Sequence, residues 1–194
     1  TPGGNSHAVA ELVMGMMFAL ARKLNYADAS MRAGKWEKKA FEGTELKDKT
    51  LGIIGLGRIG SDLAKMAKAI GMKVIGYDPI LTDESFKEYG VTKVELDELY
   101  AKSDYISLHV PANDKTKNMI NASTIAKMKN GVRIINCARG GIVNEADLKA
   151  ALESGKVAGA GVDVFSVEPC QPDNPLLSAP NTILTPHIGA STEE

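Results

Sequence analysis

The stretch TLGIIGLGRIG, residues 50–60, decides the fold. Its first half is apolar and β-branched, as a buried strand requires, and it gives way to Gly55, Gly57 and Gly60 in the spacing GxGxxG. Beyond the last glycine, Ile59, Leu63, Met66, Ala67 and Ile70 recur at helical spacing until Gly71 closes the segment, and KVIGYD at 73–78 reads as a second strand. Strand, glycine turn, helix and strand make a parallel unit with a crossover helix. Side chains at Gly55 and Gly57 would block a tight turn and hold a pyrophosphate away from the amides of the helix start, while Gly60 lets helix and strand pack closely. The hexapeptide alone is a weak signal. Its context strengthens it, because Asp78 ends the next strand about 20 residues on, where a carboxylate accepts hydrogen bonds from an adenosine ribose and repels the extra phosphate of NADP. NAD is therefore the expected cofactor. The alternative for Asp78 is a turn residue before Pro79.

Outward from this unit, further strands are expected in DYISLHV (104–110), VRIINC (132–137), VAGAGVDVF (157–165) and NTILT (181–185), with helices near 96–101, 123–128 and 144–154. The last helix is well punctuated: Asn144 can cap it, Glu145 and Asp147 lie in its first turn, and Gly155 ends it. The pattern is an open, doubly wound parallel α/β sheet of Rossmann type, one domain over residues 1–194. From Ala8 to about Leu24 a helix carries two apolar stripes, one through Val9, Leu12, Val13, Met16 and Leu20, the other through Ala10, Met14, Met17, Ala21 and Leu24. Such a helix needs two apolar neighbours, either both within its own domain or one from a second subunit. The charged segment at 34–50 reads as a surface connection anchored by Trp36 and Phe41. Thr1-Pro2-Gly3-Gly4 is loop chemistry leading to an N-cap at Asn5 or Ser6.

Composition narrows the function classes. The chain has 194 residues with 44% hydrophobic content, enough for one full core. Lysine and arginine total 23 against 24 acidic residues, for a net charge of -1, with no basic tract or aromatic interleaving that would suit a nucleic acid. Cys137 and Cys170 form no CxxC pair, so neither a disulfide framework nor a metal site is indicated, and the composition suits a reducing cytosol. The best apolar run, residues 8–21, carries Glu11 and falls short of the roughly 20 residues that span a membrane.

In an open parallel sheet, ligands bind beyond the carboxyl ends of the strands. Three polar residues stand there. Arg139 follows a strand and precedes Gly140-Gly141, leaving room around a planar fork that can hold a carboxylate by two hydrogen bonds. His187, between Pro186 and Ile188-Gly189, suits proton movement near neutral pH, and Glu168 is a carboxylate that could fix its tautomer and stabilise the imidazolium. Spacing alone leaves the alternatives open, a surface arginine and an exposed loop glutamate beside Pro169. His7 falls in the first helical turn, and His109 is expected to shape the cofactor wall.

The segments LGIIGLGRIG, GYDP, NCARGGIVNEADL, GVDVFSVEP and TPHIGAST together resemble the D-isomer-specific 2-hydroxyacid dehydrogenases, over nearly the whole chain. The resemblance implies NAD-dependent oxidation of a small 2-hydroxy acid. It puts the catalytic set on Arg139, Glu168 and His187: the histidine takes the hydroxyl proton, the glutamate supports it, and the arginine binds the substrate carboxylate and polarises the forming carbonyl. It also implies cofactor contacts at Arg58, Ile59, Asp78, Val110, Cys137, Ala138, Arg139, Asp163, His187, Ile188, Gly189 and Ala190, with Asp163 near the nicotinamide carboxamide. At Val110, where relatives can carry a hydroxyl residue, only the backbone contact is implied. Cys137 resembles a wall residue, with no base beside it to make it a nucleophile. Because the family builds its substrate domain from segments before and after this one, the chain is expected to be an excised NAD-binding domain with little turnover alone, taken from a cytoplasmic homo-oligomer, a dimer or larger, that assembles through the N-terminal apolar helix. Ser191 and Glu194, spaced as a capping box with no helix after them, fit that expectation. Two alternatives remain: a reductase of a smaller acid with the same three residues, and an NAD-sensing interaction protein of the kind exemplified by corepressors that keep this fold.

Overall fold

The computed structural model describes residues 4–194; Thr1, Pro2 and Gly3 of the expected N-terminal loop lie outside the described residues. Helices α1 (Ser6–Arg22) and α2 (Leu24–Arg32) come first, followed by β1 (Thr50–Ile54), α3 (Arg58–Ala69), β2 (Lys73–Tyr77), α4 (Asp83–Tyr89), β3 (Thr92–Lys93), α5 (Leu96–Lys102) and β4 (Tyr105–Leu108). The chain continues through α6 (Ala122–Ala126), β5 (Val132–Asn136), α7 (Glu145–Ser154), β6 (Val157–Val162) and β7 (Thr182–Leu184). All seven strands are parallel, in the order β3-β2-β1-β4-β5-β6-β7. This is the expected doubly wound sheet. Its chain direction across the sheet reverses between β1 and β4, and the loops leaving those two strands part to opposite faces and open a crevice.

Both faces of the sheet are covered, which is why its central strands read as unbroken apolar runs. One core lies under α1 and α3, with Val13, Met17, Ile53 and Leu63 buried; the other lies under α5, α6 and α7, with Ile106, Ile134, Leu148 and Val157 buried. Each such side chain contributes about 1.5–3 kcal/mol by leaving water.

Helix α1 is spent inside its own domain. It packs on α3, β5, β6 and β7, and both stripes are buried save the partly buried Leu12 and the exposed Leu24. Lys23, in the left-handed conformation at φ 54, stops it, and the separate α2 that follows buries no residue. Sequence periodicity, which ran one helix to Leu24, gave no sign of α2. Asn5 takes the N-cap position of α1, without a side-chain hydrogen bond.

The connection at 34–50 corrects the expected anchor. Trp36 is 81% exposed and Phe41 only partly buried. Instead the segment is fastened at Gly43-Thr44, where the Thr44 N–H donates to the Ala21 carbonyl at 2.9 Å, and at Leu46, which is buried in the α1–α3 core. An aromatic side chain in a charged run has no neighbour to bury it unless the backbone brings one. The expected α7 is as drawn: Asn144 accepts from the Asp147 N–H, and Gly155 closes the helix in the left-handed region. No helix among the described residues is long and apolar enough to cross a membrane.

Candidate active site at the sheet crevice

The glycine turn is built from β1. Gly55 leaves the strand at φ +94, and a Cβ there would stand 2.3 Å from the His109 carbonyl oxygen; a Cβ on Gly60 would stand 2.1 Å from the Gly55 carbonyl oxygen. Both positions therefore exclude any side chain. Gly57 differs, since a Cβ there meets no protein atom within 4 Å. It caps α3 without a side-chain hydrogen bond, so the positive end of a 12-residue helix faces open space. That space belongs to a cavity of about 820 Å³, a usual size for a small-molecule site.

Asp78 stands at the tip of β2. One carboxylate oxygen accepts from the Leu56 N–H at 2.8 Å, and the other from the Ile80 and Leu81 N–H groups at 2.9 and 3.1 Å. Asp78 thus clamps the glycine turn to the chain after β2, the role that the turn-residue alternative gave it. A carboxylate has about four acceptor sites, so one remains after these three donors.

Of the other residues singled out by sequence, Arg58, Ile59, Val110, Cys137, Ala138, Arg139, Asp163, His187, Gly189 and Ala190 line the cavity along with Gly57 and Gly60. Gly55, Asp78, Glu168 and Ile188 do not. Asn5, Ser6, Val9 and Pro111 line it unforeseen: no local motif announces that the start of α1 reaches this wall.

The residues after β5, β6 and β7 converge. His187 Nδ1 and Glu168 Oε2 are 2.7 Å apart, and the other Glu168 oxygen accepts from the Phe165 N–H at 3.0 Å. Partial burial alone would raise the Glu168 pKa, but the His187 hydrogen bond, the Phe165 N–H and the charges of His187 and Arg139 outweigh it and hold the carboxyl below its usual value. Arg139 is exposed, one of its guanidinium nitrogens donating to the Ala138 carbonyl at 2.6 Å. Buried Asn136 holds its turn, donating to the Arg139 carbonyl and accepting from the Ala138 N–H. His187 itself sits in the left-handed region at φ 54. The fully buried Asp163 sustains that turn by accepting from the Thr185 hydroxyl at 2.6 Å and the Ile188 and Gly189 N–H groups at 2.8 and 2.9 Å.

Two further walls are chemically quiet. His109 Nε2 pairs with Ser107 Oγ at 2.7 Å, its buried Nδ1 has no hydrogen-bond partner among the described residues, and burial pushes its pKa down to about 4, so the ring stays neutral near neutral pH. Burial and the Asp163 charge push the Cys137 thiol up, far from a reactive thiolate. Cys137 and Cys170 are both free.

The sequence and the fold are shared with known proteins. The family model of the D-isomer specific 2-hydroxyacid dehydrogenase NAD binding domain matches residues 14–189. D-3-phosphoglycerate dehydrogenase of Rattus norvegicus is 50% identical over 194 residues, all of this chain and 36% of that protein. Hydroxypyruvate reductase of Thermotoga maritima is 52% identical over 196 residues, again all of this chain and 63% of that protein. The crystal structure of a glyoxylate reductase from Paecilomyes thermophila superposes with a TM-score of 0.90 at 39% identity, covering 97% of this chain and 57% of that one. The chain belongs to the D-isomer-specific 2-hydroxyacid dehydrogenases and is an NAD-binding domain of that family. It spans about a third of the length of the phosphoglycerate dehydrogenases it matches. The crevice fits NAD, with Gly57 leaving open the space a side chain would fill beside the start of α3.

Proposed function

We propose that this domain serves a full-length enzyme that oxidises D-3-phosphoglycerate to 3-phosphohydroxypyruvate, the first step of L-serine synthesis, in the cytoplasm. The observation that carries this reading is the 2.7 Å His187–Glu168 contact on the rim where Arg139 emerges from the next strand. With Nδ1 engaged by Glu168, Nε2 of His187 is the nitrogen left to take the substrate hydroxyl proton, and Glu168 steadies the imidazolium that forms. Arg139 binds the substrate carboxylate and polarises the carbonyl as it forms. NAD, when bound, accepts the hydride from the same carbon. The contacts assigned to NAD are Gly55, Gly57, Arg58, Ile59, Gly60, Asp78, Val110, Cys137 to Arg139, Asp163 and His187 to Ala190, with the residues lining the cavity supporting most of them. Phosphoglycerate as substrate rests on likeness to the Rattus norvegicus enzyme. The second reading, reduction of hydroxypyruvate or glyoxylate by the same three residues, is favoured by the Thermotoga maritima relative.

The full-length protein is proposed to be a homo-oligomer. With both α1 stripes largely buried, the apolar surface left for a second subunit near that helix is Phe18, Leu24, Tyr26 and Met31, and light scattering that finds only monomers at high concentration removes the idea. Calorimetric titration of the 194-residue chain with NAD, NADP and ADP tests the cofactor assignment, NAD being expected to bind most tightly. Steady-state assays of the full-length enzyme on phosphorylated and unphosphorylated 2-hydroxy acids separate the two substrates. The 194-residue chain alone is expected to turn over little, because one wall of the cleft is missing and water is not excluded; robust oxidation by it overturns that part of the reading.

A further inference from the structure

We propose that Glu145 is a positioning residue for the Glu168–His187 pair, a clamp that reaches the acid–base centre through the Phe165–Ser166 peptide. Its catalytic consequence rests on the dehydrogenase reading above; the clamp itself rests on geometry alone.

Glu168 sits in an exposed run between β6 and β7, residues 166–171, which has little apolar burial to hold it. Apart from the His187 contact and the bonds of Asn174 to the adjoining turn at 175–178, the hydrogen bonds among the described residues that tie 166–174 to another element end on the Glu145 carboxylate. Ser166 Oγ donates to one Glu145 oxygen at 2.7 Å; the Ser166 N–H and Asn174 Nδ2 donate to the other at 3.2 and 3.3 Å. A charged acceptor makes such bonds stronger than neutral ones. The same peptide unit is held from its other side. A Cβ on Gly140, the residue after Arg139, would stand 1.8 Å from the Phe165 carbonyl oxygen and 2.9 Å from the Ser166 nitrogen, so the arginine loop lies directly against it. The preceding Phe165 N–H donates to Glu168. Glu145 therefore fixes a peptide whose neighbour orients the carboxylate that orients His187. The competing explanation is local: an acidic residue in the first turn of α7 stabilises that helix whatever lies beyond it.

The test compares Glu145→Ala, Glu145→Gln and Ser166→Ala. In the full-length enzyme, Glu145→Ala is expected to lower kcat roughly tenfold, below the hundredfold that a full ångström of misplacement can cost, with KM for NAD unchanged because Glu145 does not line the cofactor cavity. Glu145→Gln keeps one acceptor oxygen and should recover most of the loss, and Ser166→Ala should show a smaller fall in the same direction. In the 194-residue chain, nitrogen NMR of the His187 ring reads the Nδ1–H tautomer without any turnover, and Glu145→Ala should move the signals towards those of Glu168→Gln. An inactive wild-type enzyme would sink the dehydrogenase reading and leave the NMR result to judge the clamp. Unmoved His187 signals in Glu145→Ala, accompanied only by a lower melting temperature, overturn the proposal in favour of the helix-end role.

Discussion

His187 and Glu168 lie 19 positions apart in the chain and meet at 2.7 Å, the histidine held in a left-handed turn by the buried carboxylate of Asp163. Asparagine tolerates that conformation, so His187→Asn removes the proposed proton acceptor while keeping the turn. In the full-length enzyme kcat should fall about 10²–10⁴-fold, the usual weight of a positioned acid–base group. Glu168→Gln should cost less, on the order of 10²-fold, because the imidazole remains. NAD affinity, read by calorimetry, should stay within about threefold for Glu168→Gln, whose side chain is outside the cavity lining.

The three glycines of the turn separate stability from binding. Gly60→Ala forces a methyl group onto the Gly55 carbonyl and should lower unfolding stability by about 1–3 kcal/mol in a denaturant titration. A Cβ at Gly57 meets no protein atom within 4 Å, so for Gly57→Ala stability should fall by no more than about 1 kcal/mol while NAD affinity drops at least roughly tenfold. Equal damage to stability from both would contradict the placement of Gly57 at the cofactor.

Asp78→Ala should do two things at once. Removing the acceptor of three main-chain N–H groups loosens the glycine turn, at about 1–3 kcal/mol of stability. Preference for NAD over NADP should also shrink, since the charge proposed to repel a 2′-phosphate is gone. Paired melting curves and titrations check both effects.

His109 gives the fold an acid-sensitive point. Its folded pKa, about 4, lies below the ordinary 6.5, so the unfolded chain binds the proton more readily. Stability should be fully present above pH 6.5, decline as the pH falls, and stand about 3 kcal/mol lower by pH 4 on this account. Replacing the pair together, Ser107→Ala with His109→Phe, should flatten that part of the pH–stability curve. Glu168 acts in the same direction: with its folded pKa depressed, its contribution is present above the unfolded value and is lost as the pH drops through the lower folded one.

Much of this was legible because the deciding signals are local. GxGxxG between two apolar strands, the Asn144 cap and the polar residues after β5, β6 and β7 are each readable within a few positions. What escaped depends on distant packing. Helix α2 has no apolar face to betray it, α4 and β3 are too short to establish a period, and Trp36 carried the chemistry of an anchor without a pocket to enter. The bonds from Asp78 to Leu56, from Asp163 to Thr185, Ile188 and Gly189, and from Glu145 to Ser166 span between 21 and 26 positions and exist only once strand tips share a rim. A sequence displays donors and acceptors, but not which of them the sheet will bring together.

The contact of Gly140 with the Phe165–Ser166 backbone makes the guanidinium loop and the carboxylate loop interlocking parts. Neither can be lengthened, shortened or re-aimed by itself, so any redesign of this cleft for a bulkier acid must graft both loops as a matched set.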